Sequence, residues 1–324
     1  MKIDNKIKWG IVGLGNIAHQ FATDLLLIED ASLAAVASRN FDKANDFAAE
    51  YNCPKAYDSY EAIFADKDVE IIYIATPHDS HADLSIKALE NGKHVLCEKP
   101  LALSFEDAVR MIEASKKYNK FFMEAFWTRF LPAFQEIFAK VKNGEIGELT
   151  YLNADFTFCA DLSGLNRLTD VKRGGGALFD IGVYPIFISY IMLGMPKEII
   201  AKAKYHDTGV DVQTSIVLQY ENAQAVLHTD LVSSPSMKAN ICGTKGRAEL
   251  NAPWFMSDGY SIIKDDREEK FILPNLGKGY SHEAIECHKC IRNNQIESQL
   301  WSHQNSLDLS EIVNKIKKQI GLPF

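Results

Sequence analysis

Over the first 125 residues the chain alternates short apolar runs with stretches of helical period. Lys8–Val12 reads as a strand and Ile17–Ile28 as a helix. Leu33–Ala37 is a second strand, and Phe41–Tyr51 is a helix with Phe41, Ala44, Phe47 and Ala48 on one face. Val69–Ala75 (VEIIYIA) is nearly all apolar, as suits a strand covered on both faces. Ser80–Asn91 reads as a helix opened by a Ser80/Asp83 capping box and closed by Gly92. His94–Cys97 is a short strand, Ser104 with Asp107 opens a helix running to Tyr118, and Phe121–Ala125 is the next strand. This alternation predicts an α/β domain with a doubly wound parallel sheet.

After Pro132 the grammar changes. One helix runs to Gly144, and strand-like runs follow at 149–158, 198–206, 212–220, 224–232 and 236–242. Few helices separate these runs, which predicts an α+β domain on a large, mostly antiparallel open sheet. Gly176–Leu193 is the helical exception, and helical patterns near Ser281–Asn293 and Ser306–Ile320 close the chain. The expected division is a first domain over 1–125 and a second over 126–324, with the C-terminal helices free to pack back on the first. The 160–175 segment is the longest loop candidate.

Composition narrows the function classes. With 47% apolar and 24% charged residues, the chain has the core-forming content of a folded protein, not of a disordered one. Thirty-five Lys and Arg against 43 Asp and Glu leave a net charge of −8, a field that repels nucleic-acid backbones. Pro185–Met195 is read as the longest uncharged apolar stretch, too short to span a bilayer, so no membrane partner is expected. No export signal is recognised, and the six scattered cysteines read as reduced thiols in the cytoplasm.

Gly13-Leu14-Gly15-Asn16-Ile17-Ala18 is a GxGxxA between the first strand and the first helix. Gly13 permits the tight turn, Gly15 lets backbone approach a pyrophosphate, and the N–H groups from Asn16 and Ile17 onward attract it. Residues 1–125 are therefore expected to bind a dinucleotide. The second strand ends at Ala37-Ser38-Arg39-Asn40 with no carboxylate there for a ribose diol. Ser38 can hydrogen-bond and Arg39 can pair with a 2′-phosphate, which predicts NADP, with NAD as the alternative.

Ala75-Thr76-Pro77-His78 and Cys97-Glu98-Lys99-Pro100 lie at the carboxyl ends of two further parallel strands. Such ends hold ligands in doubly wound sheets, which makes Thr76, Pro77, His81 and Glu98 cofactor-binding candidates. Lys99 can hold an oxygen near the nicotinamide and stabilise developing alkoxide; its bland reading is a surface lysine on a turn. The Lys99–Pro100 bond is a candidate for the cis form. In the third cluster, Gly174-Gly175-Gly176-Ala177-Leu178-Phe179-Asp180-Ile181-Gly182-Val183-Tyr184-Pro185, a continuous helix puts Asp180 and Tyr184 on one face. Tyr184 beside an ammonium suits acid/base work, with Asp180 in support; equally, Tyr184 reads as a core residue of a buried helix.

GLGNIA, EKP and GGGALFDIGVYP together resemble the glucose–fructose oxidoreductase/inositol dehydrogenase (Gfo/Idh/MocA) superfamily over essentially the whole chain. Met123-Glu124-Ala125-Phe126-Trp127-Thr128-Arg129-Phe130-Leu131-Pro132, with Tyr184 where many members carry His, resembles the branch of dimeric dihydrodiol dehydrogenase and NADP-dependent D-xylose dehydrogenase. The resemblance implies that Lys99 sits at the nicotinamide, Tyr184 exchanges the proton and Asp180 supports them. It implies that Trp127 and Arg129 line a substrate pocket, although they read equally as a packed aromatic and a surface cation. It further implies hydride transfer with a small sugar, polyol or vicinal diol, and a homodimer or higher homo-oligomer through the second-domain sheet. A non-catalytic dinucleotide-binding regulator and a sugar–sugar oxidoreductase with tightly held cofactor are the rival expectations. Lys172-Arg173 departs from the expected run before the glycines.

Three further patterns read as structural. Cys287-His288-Lys289-Cys290 falls in a helical pattern and reads as ordinary packing. His78 and His81 lack the companions of a zinc motif. Lys264–Lys270 (KDDREEK) reads as a solvated turn between strands.

Overall fold

The structure, a computed structural model, describes residues 6–322. The chain divides into two compact units: residues up to Phe130 with Leu276–Leu307, and Leu131–Asn275 with the chain from Asp308 on. Leu276–Leu307 thus joins the N-terminal residues in one compact unit.

The first unit begins β1 (Ile7–Val12), α1 (Asn16–Leu25), β2 (Ala31–Ala37), α2 (Phe41–Glu50), β3 (Ala56–Tyr57), α3 (Tyr60–Ala65) and β4 (Ile71–Ile74). It continues α4 (His81–Glu90), β5 (His94–Glu98), α5 (Phe105–Tyr118) and β6 (Phe122–Ala125). The six strands form one parallel sheet in the order β3-β2-β1-β4-β5-β6. β4 is buried at every position, as a strand covered on both faces must be. Register aligns the strand ends: Val12 pairs with Ala37 and Ile74, Ile74 with Cys97, and Cys97 with Glu124. Asn40 and Ser104 cap α2 and α5 by accepting from the N–H groups of Lys43 and Asp107. Ser80 does not cap α4. A 3-10 turn, His78–Ser80, precedes the helix, and Ser80 Oγ turns back to Thr76 Oγ1 and the Pro77 carbonyl.

The second unit holds α6 (Pro132–Lys142), β7 (Leu149–Thr157), α7 (Val183–Leu193), β8 (Glu198–Tyr205), β9 (Asp211–Gln219), β10 (Gln224–Asp230) and β11 (Ala239–Gly243). β12 (Gly246–Leu250), β13 (Gly259–Lys264) and β14 (Arg267–Ile272) complete an eight-stranded sheet in the order β14-β13-β12-β11-β7-β10-β9-β8. Every neighbouring pair is antiparallel except β7 with β10. The charged run 264–270 is a turn only at Asp265-Asp266; from Arg267 it is the exposed edge strand β14. A charged edge resists pairing with other chains.

The stretch expected to be one helix from Gly176 is two: a π-turn over Leu178–Gly182, then α7. The run Val171–Leu193 also reaches the length and apolarity of a membrane span, which corrects the expectation drawn from Pro185–Met195. Its most apolar 18-residue window is 89% buried, and α7 is apolar around nearly its whole circumference, as a helix enclosed by protein is. Asp211 Oδ2 accepts from the Leu178 N–H (2.9 Å) and Thr214 Oγ1 (2.6 Å), fastening the π-turn at its first residue. Oδ1 is buried without a partner, and burial pushes the Asp211 carboxyl up to about 6.

α8 (Tyr280–Arg292) lies in the first unit, and the unit division falls within α9 (His303–Ile320). Asp24 on α1, 1% exposed, receives the backbone N–H groups of Lys278, Gly279 and Tyr280 at 2.9–3.0 Å. One carboxylate thereby satisfies the start of α8. Gly277, at φ +64°, admits this approach; a Cβ there would stand 2.3 Å from Asp24 Oδ1. At the other end His288 accepts from Trp9 Nε1 (2.8 Å) and meets Asp30 (3.1 Å). Cys287 and Cys290 are buried packing residues of this helix.

Two outcomes follow from these carboxylates. Asp24→Ala leaves the buried N–H groups of Gly279 and Tyr280 and the part-buried one of Lys278 without their acceptor, and lowers urea-unfolding stability by about 2 kcal/mol or more; a loss below about 0.5 kcal/mol contradicts the role. Folded Asp211 keeps its proton up to about pH 6, whereas an unfolded Asp loses it near about pH 4. Its stabilising contribution therefore falls by about 2–3 kcal/mol as pH rises through that interval and is level above it. Asp211→Asn retains an acceptor for Leu178 and removes this slope, as urea melts across the interval will register; an unchanged slope is the contrary result.

Candidate active site

In the first unit the glycine turn meets its steric requirement. Gly13 has φ +89°, and a Cβ there would lie 2.7 Å from the Ala75 backbone and Thr76 Cγ2. A Cβ at Gly15 would meet nothing within 4 Å, and Gly15 is the N-cap of α1 with no side-chain cap. Asn16 is exposed and Ile17 half-buried beside it. An uncapped helix start flanked by open glycine backbone fits a dinucleotide pyrophosphate. At the end of β2, Ser38 Oγ accepts from the Asn40 N–H (3.2 Å). Arg39 is exposed and forms no ion pair among the described residues. Asp42 lies in the first turn of α2.

The turns after β4 and β5 are tied together from beneath. His81 is fully buried, with Nε2 2.9 Å from the Thr76 carbonyl and Nδ1 3.0 Å from the Pro100 carbonyl. Burial lowers its pKa, and a neutral ring donates to one of these oxygens. Its ring thus holds the turns that carry Thr76-Pro77 and Lys99-Pro100; it does not face solvent. The Lys99–Pro100 peptide is cis, and Lys99 is half-buried. Glu98, 6% exposed, uses both carboxylate oxygens, one accepting from the Tyr73 hydroxyl and the other from the Lys99 N–H. Burial raises the Tyr73 phenol well above its usual value.

Several supporting residues gave the sequence no sign of their role, Glu124 included although it lies in the 123–132 motif. Glu124 accepts from the Leu101 N–H (2.9 Å), Ser306 Oγ (2.8 Å) and Trp301 Nε1 (3.2 Å), steadying the chain just past Pro100. Burial pushes its carboxyl up to about 7 against those bonds. Glu283 on α8 is fully buried with neither oxygen bonded to protein. Burial, then the charges of Glu98 and Asp24, holds it well above the carboxylate range. These groups come from segments far apart in sequence, so no spacing could have announced them.

Trp127 and Arg129 share a 3-10 turn, Trp127–Phe130, and both are buried. Trp127 stacks on Tyr280 at 4.6 Å, and Arg129 Nε donates to the Leu300 carbonyl (2.9 Å). Arg129 is therefore not a surface cation; burial lowers its pKa to about 10.

In the second unit Tyr184 is 5% exposed among aromatic rings. Phe156 lies 5.1 Å and Phe255 5.6 Å from its ring, and those two phenylalanines stack at 4.0 Å. Asp180 sits in the π-turn, so the simple shared face of an α-helix is modified there: a π-turn carries one extra residue. Its carboxylate is gripped by Arg167, Nη1 to Oδ1 at 2.5 Å and Nη2 to Oδ2 at 3.2 Å. Lys172 and Arg173 lie in a short 3-10 turn capped by Asp170.

Comparison with known proteins places these features in a family. Residues 7–126 match the GFO/IDH/MocA oxidoreductase family, NAD-binding Rossmann fold, and residues 134–249 its C-terminal domain. The chain is 36% identical over 330 residues to trans-1,2-dihydrobenzene-1,2-diol dehydrogenase of Xenopus tropicalis, covering 98% of this chain and 99% of that protein. It is 36% identical over 332 residues to the Mus musculus protein of the same name, covering 98% of each. The 3-ketoreductase KijD10 from Actinomadura kijaniata, in complex with NADP and TDP-benzene, superposes with a TM-score of 0.87 at 26% identity over 98% of each chain. An aldose-aldose oxidoreductase from Caulobacter crescentus shares the fold, at TM-score 0.88 and 23% identity over 97% of each chain. The chain belongs to the GFO/IDH/MocA oxidoreductases, and residues 7–126 of its first unit are their NAD-binding Rossmann fold.

Proposed function

We propose that this oxidoreductase uses NADP to move a hydride to or from the CH–OH carbon of a vicinal diol, sugar or polyol, with a trans-diol of the dihydrobenzenediol kind first in line. The observation that carries this reading is the 36% identity, end to end, with proteins named trans-1,2-dihydrobenzene-1,2-diol dehydrogenase. The NADP complex of the 3-ketoreductase supports the cofactor, as does Arg39, exposed and without an ion pair among the described residues, where a 2′-phosphate would need a cation.

When bound, the dinucleotide supplies the hydride acceptor or donor. Gly13, Gly15 and the N-terminus of α1 would hold its pyrophosphate, and Ser38 and Arg39 its adenosine end. The Lys99 ammonium stabilises the charge that builds on the substrate oxygen. Tyr184 takes the hydroxyl proton in oxidation and returns it in reduction. Phe156 and Phe255 give Tyr184 an apolar wall, which suits the carbon face of a cyclic diol and keeps water from the proton step.

A homodimer through the eight-stranded sheet is part of this reading. Val226 and Ile200 both pair with Val217, and Val226 also pairs with Asn153, two residues from Tyr151. Tyr151, Val226 and Ile200 therefore share one face, and all three are exposed. The molar mass by light scattering decides between one chain and two.

The direct experiment is NADPH formation over trans-diols, aldoses and polyols. Steady turnover on at least one class is expected, with Lys99→Ala and Tyr184→Phe each losing about 100-fold or more in kcat while NADPH binding by fluorescence persists. No turnover on any class refutes the activity; wild-type kcat in either variant refutes that residue's role. Arg39→Ala weakens NADP binding by about tenfold and leaves NAD within about twofold. Equal losses for the two cofactors remove the 2′-phosphate assignment.

A further inference from the structure

Arg167 stands out among the groups this mechanism does not use. It lies on residues 158–176, a segment with no strand or α-helix that is nonetheless sewn to itself. Asn166 Nδ2 donates to the Asp161 carbonyl (3.1 Å), and Asn166 Oδ1 accepts from the Leu168 N–H (2.9 Å). Thr169, fully buried, donates from Oγ1 to the Gly164 carbonyl (2.8 Å). The segment then returns on itself: the Gly176 N–H donates to the Leu168 carbonyl (2.9 Å), next to Arg167. Gly175 has no room for a side chain, since a Cβ there would lie 2.7 Å from that same carbonyl. The backbone on either side of Arg167 is thus fixed before its side chain makes any contact.

From this base the guanidinium forks onto Asp180. Both carboxylate oxygens are engaged, at 2.5 and 3.2 Å, by two different nitrogens. The two partners differ sharply in exposure: the Asp180 side chain is 10% exposed and that of Arg167 is 54% exposed. Removing the arginine would take two charge-assisted hydrogen bonds from a buried carboxylate, whereas removing the carboxylate would leave the arginine largely to water. Asp180 lies inside the π-turn, and Tyr184 follows on the first residues of α7. A π-turn is held less well by its own hydrogen bonds than an α-turn and relies on outside contacts. Asp211 supplies one at Leu178, Thr229 Oγ1 another on the Ala177 carbonyl (3.3 Å), and the Arg167–Asp180 fork a further one two residues after Leu178.

We propose that Arg167 is a positioning residue: its two-nitrogen grip on Asp180 sets the π-turn and, through it, the orientation of the proton-transferring Tyr184. This rests on the acid/base role given to Tyr184 above. A lysine cannot reproduce the fork, although it keeps the charge. The proposal therefore separates the effect of geometry from that of charge.

The test compares Arg167→Met, Arg167→Lys, Asp180→Asn and the Arg167→Met/Asp180→Asn double variant, each as the full chain. Steady-state kinetics use the diol or sugar that the wild type oxidises best. Arg167→Met is expected to lower kcat by about 10- to 100-fold, with substrate KM and NADPH Kd within about twofold. Arg167→Lys recovers part of kcat. The double variant is no worse than Arg167→Met, because both changes break one unit. Wild-type kcat in Arg167→Met overturns the proposal. So does a rise in KM alone, which would make Arg167 a substrate ligand, and so do losses that multiply in the double variant. Where Arg167→Met does not fold, Arg167→Lys and Asp180→Asn are read by the same criteria. Thermal melts of the unliganded variants keep this separate from the proposed activity. A midpoint loss in Arg167→Met that is absent when Asp180 is already Asn upholds the pair in a protein inactive on every substrate. Independent losses there overturn it.

Discussion

The register of the parallel sheet is the constraint on which the first unit's chemistry depends. Because Val12, Ala37, Ile74, Cys97 and Glu124 lie in line across five strands, the turns that follow them leave the sheet at one level. The glycine turn, Ser38-Arg39, Thr76-Pro77 and Lys99-Pro100 are those turns. A one-residue slip in any strand would turn each side chain to the opposite face of the sheet, and β4, buried at every position, would have to repack on both faces at once. Alignment of chemically different groups along one sheet edge thus comes from core packing before any ligand contact is considered.

Buried carboxylates then fix what the sheet only brings together. Asp24 gathers three N–H groups at the start of α8, Glu124 holds Leu101, and Asp211 holds Leu178. In each case a side chain from one segment satisfies backbone that a turn leaves without a partner. The raised carboxyls of Glu124 and Asp211 register what burial costs the charged form. Glu98 extends the pattern by joining the Tyr73 phenol to the Lys99 backbone.

Much of this was legible in the sequence, where local chemistry decides local structure. The GxGxxA turn, the Ser104 cap and the all-apolar β4 are each set by residues within a few positions of one another. The Ser80 cap failed because a 3-10 turn brings Thr76 within reach of that hydroxyl. β14 escaped notice because an edge strand with neither face buried shows no alternation. β3 and α3 are too short to set a period. The partners of Asp24, Glu124 and Asp180 were out of reach for another reason. Each is joined to a group 13 to 256 residues away, and only the folded chain supplies that neighbour.

The π-turn at Leu178–Gly182 amounts to a one-residue insertion absorbed within a helix. Excising one residue from it would wind the segment into ordinary α-helix and rotate everything upstream by about 100° relative to α7. Asp180 would then swing away from its guanidinium while the aromatic packing of Tyr184 stayed in place. A single codon gained or lost at this point is thus a route by which descent could remodel the surroundings of Asp180 and Tyr184 without disturbing the sheet beneath them.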